Sequence, residues 1–128
     1  MSNIPQFPDL KGKVALVTGV GQIRSTDQTW GAEPKSWGNG AATARMVAVN
    51  GVTVVGGDID LSAAKRTKKR VEAEGGVVEV IEADVTQKSD VKKLVSACLE
   101  RFGRIDILVN NVGRSEPGGP AEMDETTW

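Results

Sequence analysis

Four short apolar runs set the terms on which this chain can fold. Val14-Ala15-Leu16-Val17, Val52-Thr53-Val54-Val55, Val77-Val78-Glu79-Val80-Ile81 and the run over 105–109 are bounded by turn residues and rich in β-branched side chains. Such runs are the signature of strands buried on both faces, and hence of a parallel sheet. Helical segments separate them. Ala42, Ala44, Val47 and Ala48 place small groups on one side of a helix ending before Gly51, where Asn50-Gly51 suits a left-handed cap. Residues 61–74 carry a thin stripe of Leu61, Ala64 and Val71 and end at Gly75-Gly76. In the third segment Val91, Leu94, Val95, Cys98, Leu99 and Phe102 repeat at helical spacing without a miss. Thr86 is its expected cap, with 87–90 in the first turn and Gly103 as its stop. Alternating strands and helices require parallel pairing through right-handed crossovers, with helices on both faces. The expected fold is therefore a doubly wound α/β sheet in three α/β/α layers, partial, with four strands in the order 3-2-1-4.

A chain of 128 residues forms one domain, large enough to bury roughly two-thirds of the surface its unfolded form exposes. We expect a single truncated domain over 1–128, with its core at 10–113, an irregular insert at 23–37 and a loop-like tail at 114–128. Residues 2–13 hold Pro5 and Pro8 and read as an extended lead-in. The net charge of −1 gives no reason to expect nucleic acid or a membrane surface as a partner. Cys98, the single cysteine, fits a reducing compartment, and its place on the apolar stripe makes it a packing residue. No leader and no run of about 20 apolar residues is visible, so the expected location is cytoplasmic. No metal-ligand pattern is present. Histidine and tyrosine are absent altogether, which removes the commonest general base and a phenolic acid.

Ligands of such sheets bind outside the carboxyl ends of the strands, and four features fall there. After the first run comes Thr18-Gly19-Val20-Gly21-Gln22, which resumes only after the fifteen residues 23–37 as Gly38-Asn39-Gly40 before Ala41-Ala42-Thr43-Ala44. Glycines entering a helix let the backbone and the helix N-terminus cradle a phosphate. The other three are Asp58, Asp84-Val85 and Asn110-Asn111-Val112-Gly113. Asp58 lies eighteen positions after Gly40, near the ~20-residue spacing of an acid that binds an adenosine ribose. A carboxylate there would repel a 2′-phosphate by about 4 kcal/mol per unit charge at ~4 Å with an effective dielectric near 20. NAD is thus favoured over NADP unless Lys65 or Arg66 turns in. Asp60 is the expected N-cap of the second helix. The basic cluster Lys65-Arg66-Thr67-Lys68-Lys69-Arg70 reads as a solvated outer face, since no aromatic is interleaved.

Taken together, Leu10-Lys11-Gly12-Lys13-Val14-Ala15-Leu16-Val17-Thr18-Gly19, Asp58, Asp84-Val85 and Asn110-Asn111-Val112-Gly113 resemble, in order and spacing, the successive motifs of the short-chain dehydrogenase/reductase family. That family's turn reads TGxxxGxG. Removing 23–37 gives Thr18-Gly19-Val20-Gly21-Gln22-Gly38-Asn39-Gly40, a full match. The resemblance implies a Rossmann-like domain and hydride transfer between a nicotinamide cofactor and an alcohol or carbonyl substrate. It also implies that Gly19, Gly38 and Gly40, with Gly21 in the same turn, approach the pyrophosphate. Asp58 would meet the adenosine ribose and Asp84-Val85 the adenine. Asn110 would support the central sheet, with Asn111 the alternative by one position, while Val112 and Gly113 line the cofactor.

Two departures shape the functional expectation. In the family a YxxxK tyrosine and lysine follow the fourth strand, with a serine on the fifth and an asparagine on the intervening helix; this sequence contains none of them. No catalytic residue is therefore assigned, the chain is expected to supply cofactor binding only, and a small-molecule substrate enters only with a complete enzyme. Oligomerisation is not expected of this form. The alternative is a non-catalytic fragment that binds a nucleotide or a protein partner. A methyl-donor-binding domain does not explain Asn110 to Gly113. The second departure is the insert, with Trp30, Pro34 and Trp37 and no regular period. Lengthening a loop from about five to about twenty residues costs only ~1.2 kcal/mol in closure entropy. A tolerated insertion, or a mis-spliced segment translated in frame, is preferred over a lid or partner loop.

Overall fold

The structure, a computed structural model, describes residues 3–22, 37–113 and 118–126. After a 3-10 turn at Pro8–Leu10, its elements are β1 (Val14–Thr18), α1 (Asn39–Ala48), β2 (Thr53–Asp58), α2 (Leu61–Glu72), β3 (Val77–Glu82), α3 (Lys88–Phe102) and β4 (Ile107–Asn110). The four strands form one parallel sheet in the order β3-β2-β1-β4, as the alternating pattern requires. Register sets Thr18 level with both Gly57 and Asn110, and Asp58 level with Glu82. The carboxyl ends of all four strands thus reach the same rim.

Residues alternate across β1, so the sheet feeds two cores. Ala15 and Val17 pack with Val54 and Val78 against Ala44 and Ala48 of α1 and Ala64 and Val71 of α2. Val14 and Leu16 pack with Val55 against Leu94 and Cys98 of α3. Fully burying an aliphatic side chain such as Leu94 stabilises by about 1.5–3 kcal/mol. The sheet-facing stripe of α1 is Gly40, Ala41, Ala44 and Ala48. Ala42, expected on that stripe, lies only partly buried, because the helix begins at Asn39 and its phase brings Ala41 inward. Gly56 and Gly57 belong to β2 itself. A Cβ on Gly56 would come within 2.6 Å of Val20 Cγ1, and one on Gly57 within 2.7 Å of Leu94 Cδ2. The pair opens one gap on each face, and a large side chain from elsewhere in the chain fills each.

Helix termini follow local chemistry with one correction. Asp60 caps α2, its carboxylate accepting from the Ala63 N–H at 3.1 Å, and Gly103 ends α3 in the left-handed conformation. Thr86, expected to cap α3, instead donates its hydroxyl to Asp84 Oδ1 at 2.7 Å. Gln87 takes the cap position without a side-chain bond. The apolar stripe of α3 is covered at Leu94 and Cys98, while Val91 and Leu99 stay exposed at 38% and 45%. α3 packs on β1 and β2 through Leu94 and Cys98, and Leu108 of the edge strand β4 is exposed as well. Cys98 is fully buried and burial pushes its thiol pKa up, as a packing cysteine should behave. None of the helices among the described residues is long and apolar enough to cross a membrane.

The start of β4 is tied to β1 by a charge. Asp106 Oδ2 accepts from Val14 N–H at 2.8 Å and Oδ1 from Arg104 at 2.6 Å. These bonds, the Arg104 one foremost, hold the Asp106 carboxyl below its ordinary value of 3.8. A depressed folded pKa contributes stability above the unfolded value and loses it as pH falls through the folded one. Urea midpoints should therefore fall on acidification from about pH 5 to about pH 3, and Asp106→Asn should lose less over that window, having lost the contribution at neutral pH already. Equal acid slopes in the two proteins would contradict this role. The glycine gap gives a second test: Gly56→Ala should destabilise by about 1–3 kcal/mol through overpacking, and adding Val20→Ala should recover part of that loss in thermal melts. Strict additivity of the two changes would mean that Val20 does not fill the gap.

Candidate functional site

At the rim a cleft of about 610 Å³ opens between the turn after β1 and the loops after β2, β3 and β4. Its walls are Gly19 and Gly21, Asp58 to Asp60 with Ala63, Ala83 to Thr86, and Asn111 to Gly113. Backbone bonds hold the turn in place. Gly19, at φ +69°, donates its N–H to Gly57 O at 2.8 Å, and Val20 N–H reaches the same oxygen at 3.3 Å. From the other side, Asn111 Nδ2 donates to Gly19 O at 3.0 Å and Asn111 N–H to Thr18 Oγ1 at 3.2 Å. The first turn of α1 rests on this arrangement. A Cβ on Gly40 would overlap Gly19 O and stand 2.6 Å from Asn111 Nδ2, so only glycine lets the helix approach.

Asp58 joins the turn to the second loop. Its Oδ2 accepts from Gly21 N–H at 2.8 Å and its Oδ1 from Asp60 N–H at 2.9 Å. A carboxylate has about four acceptor positions, so each oxygen keeps one more direction for a ligand hydroxyl. Gly21 has no room for a side chain, since a Cβ there would lie 2.7 Å from both Asp58 Oδ2 and Ala63 Cβ. On the third loop, Asp84 accepts from the Thr86 hydroxyl at 2.7 Å and the Thr86 N–H at 2.9 Å. The hydroxyl bond, then the backbone bond, holds the Asp84 carboxyl below its usual range. Its own N–H is fixed by Asp90 Oδ2 at 3.0 Å. No lysine or arginine is among the described residues of the cleft wall.

Of the residues singled out from sequence, Gly19, Gly21, Asp58, Asp84, Val85, Asn111, Val112 and Gly113 line this cleft, whereas Gly38, Gly40 and Asn110 do not. Gly40 serves the packing of α1 on the turn. Asn110 is the last residue of β4, paired with Thr18, and Asn111 is the one whose side chain ties the sheet to the turn. Residues 23–36 of the insert lie outside the described residues, but its flanks are defined. Gln22, 4% exposed, accepts the Gly38 N–H on its side-chain oxygen at 3.0 Å. The basic cluster needs correcting. Lys65 and Lys69 face solvent. Arg66, however, donates to Gln22 O at 2.9 Å, Arg70 stacks 3.7 Å from the Trp37 ring centroid, and Lys68 donates to Val78 O at 2.9 Å. Gln22 and Thr67 are the structural residues that sequence reasoning missed. Thr67 is fully buried and donates to Val20 O at 2.8 Å. It sits three after Ala64 and four before Val71, so its place on the apolar stripe was the available signal.

Comparison with known proteins decides the lineage. A family profile described as short chain dehydrogenase matches residues 35–128. The chain belongs to the short-chain dehydrogenase family. It is 32% identical over 119 residues to a 3-oxoacyl-[acyl-carrier-protein] reductase of Thermotoga maritima, an alignment covering 93% of this chain and 42% of that enzyme. A short-chain dehydrogenase/reductase structure from Burkholderia xenovorans is 44% identical with a TM-score of 0.80, covering 95% of this chain and 43% of the other. One from Burkholderia phymatum, solved in complex with NAD, is 32% identical with a TM-score of 0.75 and coverages of 96% and 38%. A metagenomic short-chain oxidoreductase solved with NADP is 30% identical with a TM-score of 0.74 and coverages of 93% and 48%. The chain therefore spans less than half the length of each of these proteins.

Proposed function

We propose that this chain is the cofactor-binding part of a short-chain dehydrogenase/reductase and that its cleft takes NAD in preference to NADP. The observation that carries the reading is Asp58: a carboxylate bonded into the glycine turn, open on one side to a cleft with no lysine or arginine among its described wall residues. The cleft volume of about 610 Å³ lies within the roughly 300–1,000 Å³ of small-ligand pockets. Asp58 would accept from the adenosine ribose hydroxyls. The backbone of Gly19 and Gly21 would face the phosphates, with Asp84 and Val85 beside the adenine and Val112 and Gly113 along the opposite wall. When bound, the nicotinamide supplies or accepts the hydride.

The NAD preference follows from charge. Arg66 is held by Gln22 O, and the carboxylates of Asp58 and Asp60 both border the cleft. A 2′-phosphate placed there would meet repulsion, with no lysine or arginine among the described wall residues to offset it. The proton transfer that accompanies hydride transfer needs a general acid or base. This sequence contains no tyrosine or histidine, so we assign cofactor binding to this chain and the chemistry to a complete enzyme.

Calorimetry should show NAD binding tighter than NADP, and Asp58→Asn should narrow that ratio by about tenfold or more as the repulsion is removed. An unchanged ratio would remove Asp58 from the specificity argument. With NAD and a panel of alcohols the 128-residue chain should show no turnover; robust turnover abolished by a substitution within it would overturn the assignment.

A further inference from the structure

In an uninterrupted turn of this kind Gln22 would be followed directly by the residue that enters α1, and a peptide bond would fix their relation. Here fourteen residues, 23–36, separate Gln22 from Trp37. The described residues on the two sides nevertheless meet. Gln22 is anchored through backbone and side chain: its N–H donates to Ala63 O at 3.0 Å, its carbonyl accepts from Arg66 Nε at 2.9 Å, and its side-chain oxygen accepts the Gly38 N–H at 3.0 Å and Arg70 Nη1 at 3.4 Å. On the returning side, two guanidinium groups lie over the Trp37 ring, Arg70 at 3.7 Å and Arg45 at 5.0 Å from its centroid. Arg45 is held in turn by a two-pronged pair with Glu74, at 2.7 and 2.8 Å. Gly38 then caps α1, its carbonyl accepting from Ala42 N–H at 2.7 Å.

We propose that Gln22, Trp37 and Arg70 are positioning residues of the binding turn. They clamp the two ends of the excursion against α2, so that Gly38 enters α1 in the place the next residue of a continuous turn would occupy. Arginine suits the task because its planar cation stacks on an indole face while its N–H groups remain available for hydrogen bonds. Of the basic residues of α2, Arg66 and Arg70 reach the clamp, Lys68 turns to Val78 O, and Lys65 and Lys69 face solvent. The consequence for ligand affinity rests on the cofactor reading above; the placement of Gly38 does not.

The test uses the full-length chain, labelled for NMR, with amide exchange at Gly38, the melting temperature and NAD affinity by calorimetry as three separate readouts. Arg70→Ala and Trp37→Ala should speed Gly38 exchange by roughly tenfold or more while leaving most core amides protected. The same variants should weaken NAD binding by about fivefold or more, and Trp37→Phe, which keeps a stacking ring, should restore most of both effects. In a variant lacking 23–37, where Gln22 joins Gly38 covalently, Arg70→Ala should change neither quantity. Unchanged Gly38 exchange in Arg70→Ala and Trp37→Ala would overturn the proposal, as would an equal effect of Arg70→Ala in the deletion variant. Should Arg70→Ala fail to fold, Gln22→Ala supplies the same exchange readout from the other side of the clamp. If the parent chain binds no NAD, the cofactor reading fails, while Gly38 exchange still decides the clamp.

Discussion

The fold turns on one close approach, that of the first turn of α1 to the loop after β1. Gly19 O lies where a Cβ on Gly40 would be, and the same oxygen accepts from Asn111. One carbonyl thus brings β1, α1 and the end of β4 together. The turn cannot move without disturbing the strand on either side, because Gly57 O holds its N–H groups from β2. This locking gives the cleft a rigid floor. Preorganisation of this kind reduces the ordering cost of ligand binding.

Around that floor, the site is made of groups that serve the fold and the cleft together. Asp58 bonds the turn through one oxygen and the start of α2 through the other, and still faces the cleft. Asp84 fixes the loop after β3 through Thr86 and borders the same space. Such double use follows from the parallel sheet: every strand delivers its last residue to one rim, so the side chains that end strands also bound the ligand.

The insertion shows how little of a turn's geometry depends on unbroken sequence. Closing a longer loop costs only slowly growing entropy, and the flanking contacts of Gln22, Gly38 and Trp37 keep the ends together. Those contacts come from α2 and from Arg45 in α1, elements laid down after the insert in the chain. A local interruption is therefore repaired by tertiary structure.

The sheet order followed from the alternation through the doubly wound topology. The strand and helix alternation, the Asp60 cap, the buried Cys98 and the rim positions of Gly19, Asp58, Asp84, Val85 and Asn111 to Gly113 were legible in the sequence itself. Each follows from local rules: periods of two and 3.6, and turn chemistry at the ends of apolar runs. What only the tertiary structure decided were relations between distant positions. Among them are the choice of Asn111 over Asn110 as the tie to the turn, the packing role of Gly40 and the engagement of Thr86 by Asp84. Arg66 and Arg70 likewise turned inward although their cluster reads as a polar face. Periodicity says which side of an element is buried, but the partner met there depends on how the layers stack. Gln22 makes the point most plainly, because its partner Gly38 is separated by the insert in sequence and is a direct neighbour only in the folded chain.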